Sequence, residues 1–140
     1  MADERRDYSA TPLARKLGIR EGSILLIVNA PEGFREALAP LPAGITFASR
    51  ASMGTDVVVF FATRGWDLRR RFATLARSLT PDGRLWVAWP KKASGVSTDI
   101  TFDDAQGVGL SAGLVDNKSA SVTDVFQGLQ FVYRIQDRKR

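Results

Sequence analysis

Lys91, Lys92, Ser94 and Gly95 fall within five residues, directly after an apolar run that ends at Trp89-Pro90. Two ammonium groups, a hydroxyl and flexible backbone amides are the parts of an anion site. In open α/β sheets, ligands sit at the carboxyl ends of buried strands. The loop therefore stands where a ligand is expected. A second polar set lies downstream: Thr98, Asp99, Asn117 and Lys118. Asp99 reads either as a salt-bridge partner of Lys91 or Lys92 or as a base. A third set, Asn29 and Glu32, follows the first apolar strand. These two either bind a ligand or cap the next helix. Trp89 is the aromatic side chain nearest the loop. Trp86, three residues earlier, is expected on the opposite face of the strand.

The missing residue types narrow the chemistry. The chain has no histidine and no cysteine. That removes the commonest general base, the commonest metal ligand and every thiolate nucleophile. Catalytic triads and zinc chemistry are not expected, and no residue is assigned a catalytic role. The longest apolar run, Ile24 to Val28, is far short of a membrane span. A cytoplasmic location is the expectation.

The 140 residues fit one domain, with 1–8 and 136–140 read as flexible tails. Net charge is +5, unevenly spread. Residues 64–92 carry eight basic and two acidic residues, whereas 93–133 carry one basic and five acidic. A basic middle attracts phosphate or nucleic acid, or is simply a solvated helix face.

The elements that must position these groups follow from periodicity. Thr11-Pro12 reads as a helix start, with Thr11 as the cap and Gly18 as the stop. Ile24–Val28, 56–62 and 84–89 are apolar and rich in β-branched residues, as strands buried on both faces must be. Phe34 to Leu38 reads as a short helix and 45–48 as a weak strand. In 66–79, Leu68, Phe72, Leu75, Ala76 and Leu79 form one stripe of a helix, with Arg69, Arg70, Arg71 and Arg77 mostly off it. Thr80-Pro81-Asp82-Gly83 reads as a turn. Thr101 opens a further helix with Asp103 and Asp104 in its first turn, where the helix dipole favours acids. Its glycines would permit close packing on the sheet. Residues 115–122 and 129–135 read as an antiparallel pair joined through Asp124 and Gly128. Helices alternating with buried strands imply an α/β fold with a mostly parallel sheet and a C-terminal antiparallel hairpin.

That order resembles the class I methyltransferase fold, a Rossmann-like architecture. Asp56-Val57-Val58-Val59 looks like the fourth strand of that family. Leu79-Thr80-Pro81-Asp82-Gly83-Arg84-Leu85 is similar to its L-x-P-G-G-x-L turn. Ala112-Gly113-Leu114-Val115 looks like its A-G-F element. More closely, the chain resembles a small bacterial family of uncharacterised function with this fold in truncated form. That resemblance rests on Thr11-Pro12-Leu13-Ala14, Asn29-Ala30-Pro31-Glu32-Gly33-Phe34, the W-P-K-K-x-S-G-V run from Trp89 to Val96, and Gly113-Leu114-Val115-Asp116-Asn117-Lys118.

Against the methyltransferase pattern, the loop after the first strand has one glycine and a proline. No acid follows the second strand, where Ala48-Ser49-Arg50-Ala51 stands. The third strand of the family is expected to be missing, because too few residues separate 45–48 from Asp56 for a full crossover. The residues then read as a non-catalytic domain without a cofactor, binding a small anionic ligand through Lys91, Lys92, Ser94 and Asn29. Two alternatives stand beside it. One is a divergent S-adenosylmethionine-dependent methyltransferase. The other is a basic module that binds RNA or protein through Arg69–Arg71 and Arg138-Lys139-Arg140. Either a monomer or a homodimer is compatible with the sequence.

Overall fold

The apolar strands stack into one six-stranded sheet in the order β2-β1-β3-β4-β6-β5. The computed structural model describes residues 11–138. The expected tail at 1–8, and Lys139 and Arg140 of the basic C-terminus, lie outside the described residues. Strands β1 (Ile24–Val28), β2 (Thr46–Ala48), β3 (Thr55–Phe61) and β4 (Leu79–Pro90) run parallel. β5 (Leu114–Ser121) and β6 (Phe126–Tyr133) form an antiparallel pair, and β6 also lies antiparallel to β4. The mostly parallel α/β sheet with a C-terminal hairpin is as the sequence implies.

Continuous apolar strands bury both faces, because alternate side chains point to opposite sides. Leu26, Val58, Phe60, Val87, Trp89 and Phe131 pack beneath α3 (Gly65–Arg77) and α4 (Phe102–Ser111). Leu25, Val57, Val59, Phe61, Trp86 and Ala88 pack on the other face with α1 (Leu13–Lys16) and α2 (Phe34–Ala37). Trp86 and Trp89 are thus divided between the faces, as their spacing requires. The Trp86 indole N–H donates to the Leu17 carbonyl at 2.9 Å and ties α1 to the sheet.

Several local expectations are corrected. Thr11 does not cap α1; Pro12 occupies that position with no side-chain cap bond. The Thr80–Gly83 segment does not end an element. β4 is continuous, and its register against β3 moves from Thr55↔Leu79 to Val57↔Arg84. Residues 80–83 therefore stand opposite Asp56 alone, so turn-forming residues are accommodated as an irregularity within the strand. Asp56 turns its carboxylate aside to accept the Ile24 N–H at 2.8 Å. Gly128 lies within β6, not in the hairpin connection. A Cβ there would press on Val122 and Trp86, so the strand needs glycine for close packing. Residues 136–138 finish a 3-10 turn at Ile135–Asp137.

α4 begins with a full capping box. Asp104 N–H donates to Thr101 Oγ1 at 3.2 Å, and Thr101 N–H donates to Asp104 Oδ2 at 2.9 Å. The bond from the Thr101 N–H, and then one from its hydroxyl to Asp104 Oδ2 at 3.0 Å, hold the Asp104 carboxyl below its ordinary pKa. The two glycines inside this helix differ. A Cβ on Gly109 would overlap the Phe131 ring, whereas one on Gly107 would meet nothing within 4 Å. Gly109→Ala is expected to destabilise the protein by about 1–3 kcal/mol through overpacking. Gly107→Ala is expected to stabilise it by about 0.5–1 kcal/mol through helix propensity. Urea unfolding of the two variants checks the opposite signs.

Candidate functional site

At the carboxyl edge of the sheet, β1 ends at Val28 and the chain turns sharply. Asn29 adopts φ 60, the left-handed region that asparagine tolerates better than most residues. Its Nδ2 donates to Asp67 Oδ2 at 3.4 Å, linking the end of β1 to the first turn of α3. Neither Asn29 nor Glu32 caps α2. The capping position is Gly33, at φ 86 with no side-chain bond, and Glu32 is exposed. A Cβ on Gly33 would have no atom within 4 Å, so the backbone borders open space there.

Two clefts flank this end of β1. On the α3 face, a cleft of about 640 Å³ runs from Asn29, Ser49 and Arg50 down to Leu26, between the 49–51 segment and Arg70, Arg71 and Leu75. On the α2 face, a smaller cleft of about 320 Å³ is bounded by Ala30, Pro31, Gly33 and Phe47. The larger one exists because only residues 49–54 join β2 to β3. Among the described residues, no helix packs over β1 beside α3. Nothing in the sequence around Ser49, Arg50 and Asp67 marks them as site residues. Arg50 follows β2 where the methyltransferase pattern has an acid.

The lysine loop is built differently. Lys91 Nζ donates to Ser121 Oγ at 2.8 Å. Ser94 Oγ donates to the Lys91 carbonyl at 2.7 Å and accepts from Val96 N–H at 3.1 Å. Gly95, at φ 77, closes the short 3-10 turn Lys92–Ser94, and Lys92 is exposed. Trp89 is 3% exposed and packs in the α3-side core. Asp99 accepts the Gly65 N–H at 2.7 Å and so caps α3 from 34 positions away. Thr98 Oγ1 donates to the Thr63 carbonyl at 2.7 Å. Asn117 and Lys118 lie in β5, with Lys118 paired to Gln130 in the register that also holds Trp86. Asn117 accepts from Gln130 Nε2 at 2.8 Å, and Lys118 Nζ donates to the Lys16 carbonyl at 3.0 Å. The structure thus brings Lys91, Ser94 and Ser121 together at the edge of β4. It places Asn29 and Glu32 beyond β1, and Asn117 and Lys118 lower on the sheet.

The α3 arginines do not form one stripe. Arg69 faces the groove between α3 and α4, with Asp103 and Asp104. Arg70 pairs with Asp67 at 3.6 Å, and the Arg71 guanidinium lies 5.8 Å from the Phe60 ring centre. At the opposite edge of the sheet, burial first, and then the charge of Arg20, lowers the Arg84 pKa. That guanidinium packs so closely on Gly18 that a Cβ there would collide with it.

No protein-family profile and no curated protein matches the chain. Solved structures do. A candidate type 11 methyltransferase from Sulfolobus solfataricus is 13% identical, with TM-score 0.65 over 100% of this chain and 98% of that one. A chain from the complex between the Haloferax volcanii Trm112 methyltransferase activator and a candidate methyltransferase is 15% identical, with TM-score 0.62, covering 92% and 90%. Magnesium protoporphyrin IX methyltransferase from Synechocystis PCC 6803, solved with bound SAM, is 12% identical, with TM-score 0.57, covering 94% and 79%. The fold is that of the class I methyltransferases. This corrects the expectation of a non-catalytic, cofactor-free anion-binding domain: a fold shared with methyltransferases, one of them holding SAM, favours the divergent-transferase alternative. The small bacterial family is not what these matches identify. Among the described residues, no helix is long and apolar enough to cross a membrane.

The cleft residues can be tested against S-adenosylmethionine (SAM). The open cradle at Gly33 leaves room beside the end of β1. Asp67, 16% exposed, offers a carboxylate to an ammonium group. Ser49 offers a hydroxyl to the ribose. These residues fit the group, and Arg50 stands where other Rossmann-like folds use an acid. Asp99 fits a structural role instead. Asp99→Ala is expected to cost about 1–2 kcal/mol, the scale of a lost helix cap, and urea unfolding measures it. Unchanged stability would return Asp99 to the list of residues free for chemistry.

Proposed function

We propose that this protein is a divergent SAM-dependent methyltransferase that uses the carboxyl edge of β1, β2 and β3. One observation carries the reading: methyltransferase structures match the chain over 92% to 100% of its length. The cradle at the end of β1 supports it. Asn29 and Asp67 would orient the amino-acid end of the cofactor, and Ser49 would meet its ribose. SAM, when bound, supplies a sulfonium methyl that an acceptor nucleophile takes while the bonding pair stays on sulfur, leaving the thioether product.

Such a transfer depends on alignment and desolvation more than on acid-base groups. A chain without histidine or cysteine can therefore support it. What the protein contributes is a rigid floor, Leu26, Val28 and Leu75, and polar groups at the rim. The acceptor must arrive as a nucleophile or lose its proton to water.

Isothermal calorimetry with S-adenosylhomocysteine tests the reading. Saturable one-to-one binding in the micromolar range is expected. Asp67→Asn is expected to weaken it about 5- to 50-fold, by loss of a charge-assisted bond of about 1–2.5 kcal/mol. No heat and no fluorescence change at millimolar ligand would refute the proposal.

A further inference from the structure

The larger cleft has a charged wall that SAM does not use. Arg70 and Arg71 project from the second turn of α3, and Arg50 faces them from the segment after β2. Among the described residues, no acidic side chain lines this cleft. Asp67, outside its lining, stands 3.6 Å from Arg70, which is 67% exposed and whose guanidinium also lies 5.3 Å from the Trp66 ring centre. No hydrogen bond or ion pair to a described residue engages Arg50 or Arg71. Three arginine side chains border one concavity; Arg70 also pairs with Asp67 and Arg71 also lies near the Phe60 ring, whereas Arg50 makes no such contact among the described residues. Beneath them lies an apolar floor of Leu26, Val28 and Leu75.

A planar guanidinium presents paired donors that match phosphate oxygens, and several together suit a dianion better than a single carboxylate. We propose that Arg50, Arg70 and Arg71 receive the phosphate of a phosphorylated methyl acceptor whose apolar body rests on the floor. The acceptor role rests on the transferase reading above; the phosphate site does not.

Phenyl phosphate is a suitable probe, because it joins a dianion to an apolar ring. Backbone amide NMR of the full chain follows its titration, with phenol as the uncharged control. Saturable shifts at Asn29, Ser49 and Arg50 are expected, with none from phenol. Arg70→Gln/Arg71→Gln should weaken binding at least 10-fold, and Arg50→Gln, on the loop, serves as an independent variant. Circular dichroism confirms that each is folded. Absence of saturation, equal affinity in the variants, or shifts confined to Lys91 and Lys92 would overturn the phosphate site. Repeating the titration with S-adenosylhomocysteine present separates the two readings. Continued phenyl phosphate binding in the saturated protein supports the acceptor role. Mutual displacement would overturn that role by giving the arginines to the cofactor. Phenyl phosphate binding with no S-adenosylhomocysteine binding at all would refute the transferase reading and leave the phosphate site standing.

Discussion

The functional half of this molecule depends on one constraint, the six residues that join β2 to β3. Parallel strands are normally connected by a dozen residues or more, usually through a helix that covers the sheet. Six residues span about 20 Å at full extension. That is enough to return from the end of β2 to the start of β3, and too little to form a covering helix. The connection instead lays Ala51 against the α3-side core and leaves the face of β1 beside α3 partly open. The larger cleft, and the approach of Arg50 to Arg70 and Arg71, follow from this.

The remaining structure keeps that opening from collapsing. β1, β3 and β4 are buried on both faces, and edge-to-face aromatic contacts fix each side. Phe72 meets Phe131 at 5.2 Å beneath α3, and Phe61 meets Phe34 at 4.8 Å on the opposite face. α3 is anchored at its start by Asp99 and along its length by Leu68, Phe72 and Leu75. Such packing holds the rim residues, and Leu75 serves both the core and the floor of the cleft.

Much of the architecture was legible in the residues. Continuous β-branched runs marked β1 and β3, the Leu68-Phe72-Leu75 stripe marked α3, and Thr101 with Asp104 marked the start of α4. The irregularity at 80–83 was not, because its residues are those of an ordinary turn, and only the pairing of Asp56 with β1 shows why the strand continues. The site was less legible than the fold. Lys91 and Ser94 attract attention as charges after a strand, yet both are occupied by local bonds. Asp67, Ser49 and Arg50 are 38 or fewer positions from Asn29 in sequence and come together only through the short connection and the angle of α3. The readable signal was the six-residue gap itself, which implied an uncovered face as well as a missing strand.

Fold resemblance at 12% to 15% identity establishes architecture, and chemistry must come from the site. Here the site offers a cradle at Gly33, a carboxylate at Asp67 and an arginine wall, all at the edge where this architecture binds ligands. The most direct test is a crystal structure of the protein grown with S-adenosylhomocysteine. The account predicts ligand density across the end of β1, between Gly33 and Ser49 and within hydrogen-bond distance of Asp67. Density at the Lys91–Gly95 loop, or a clear carboxyl edge at saturating ligand, would contradict it.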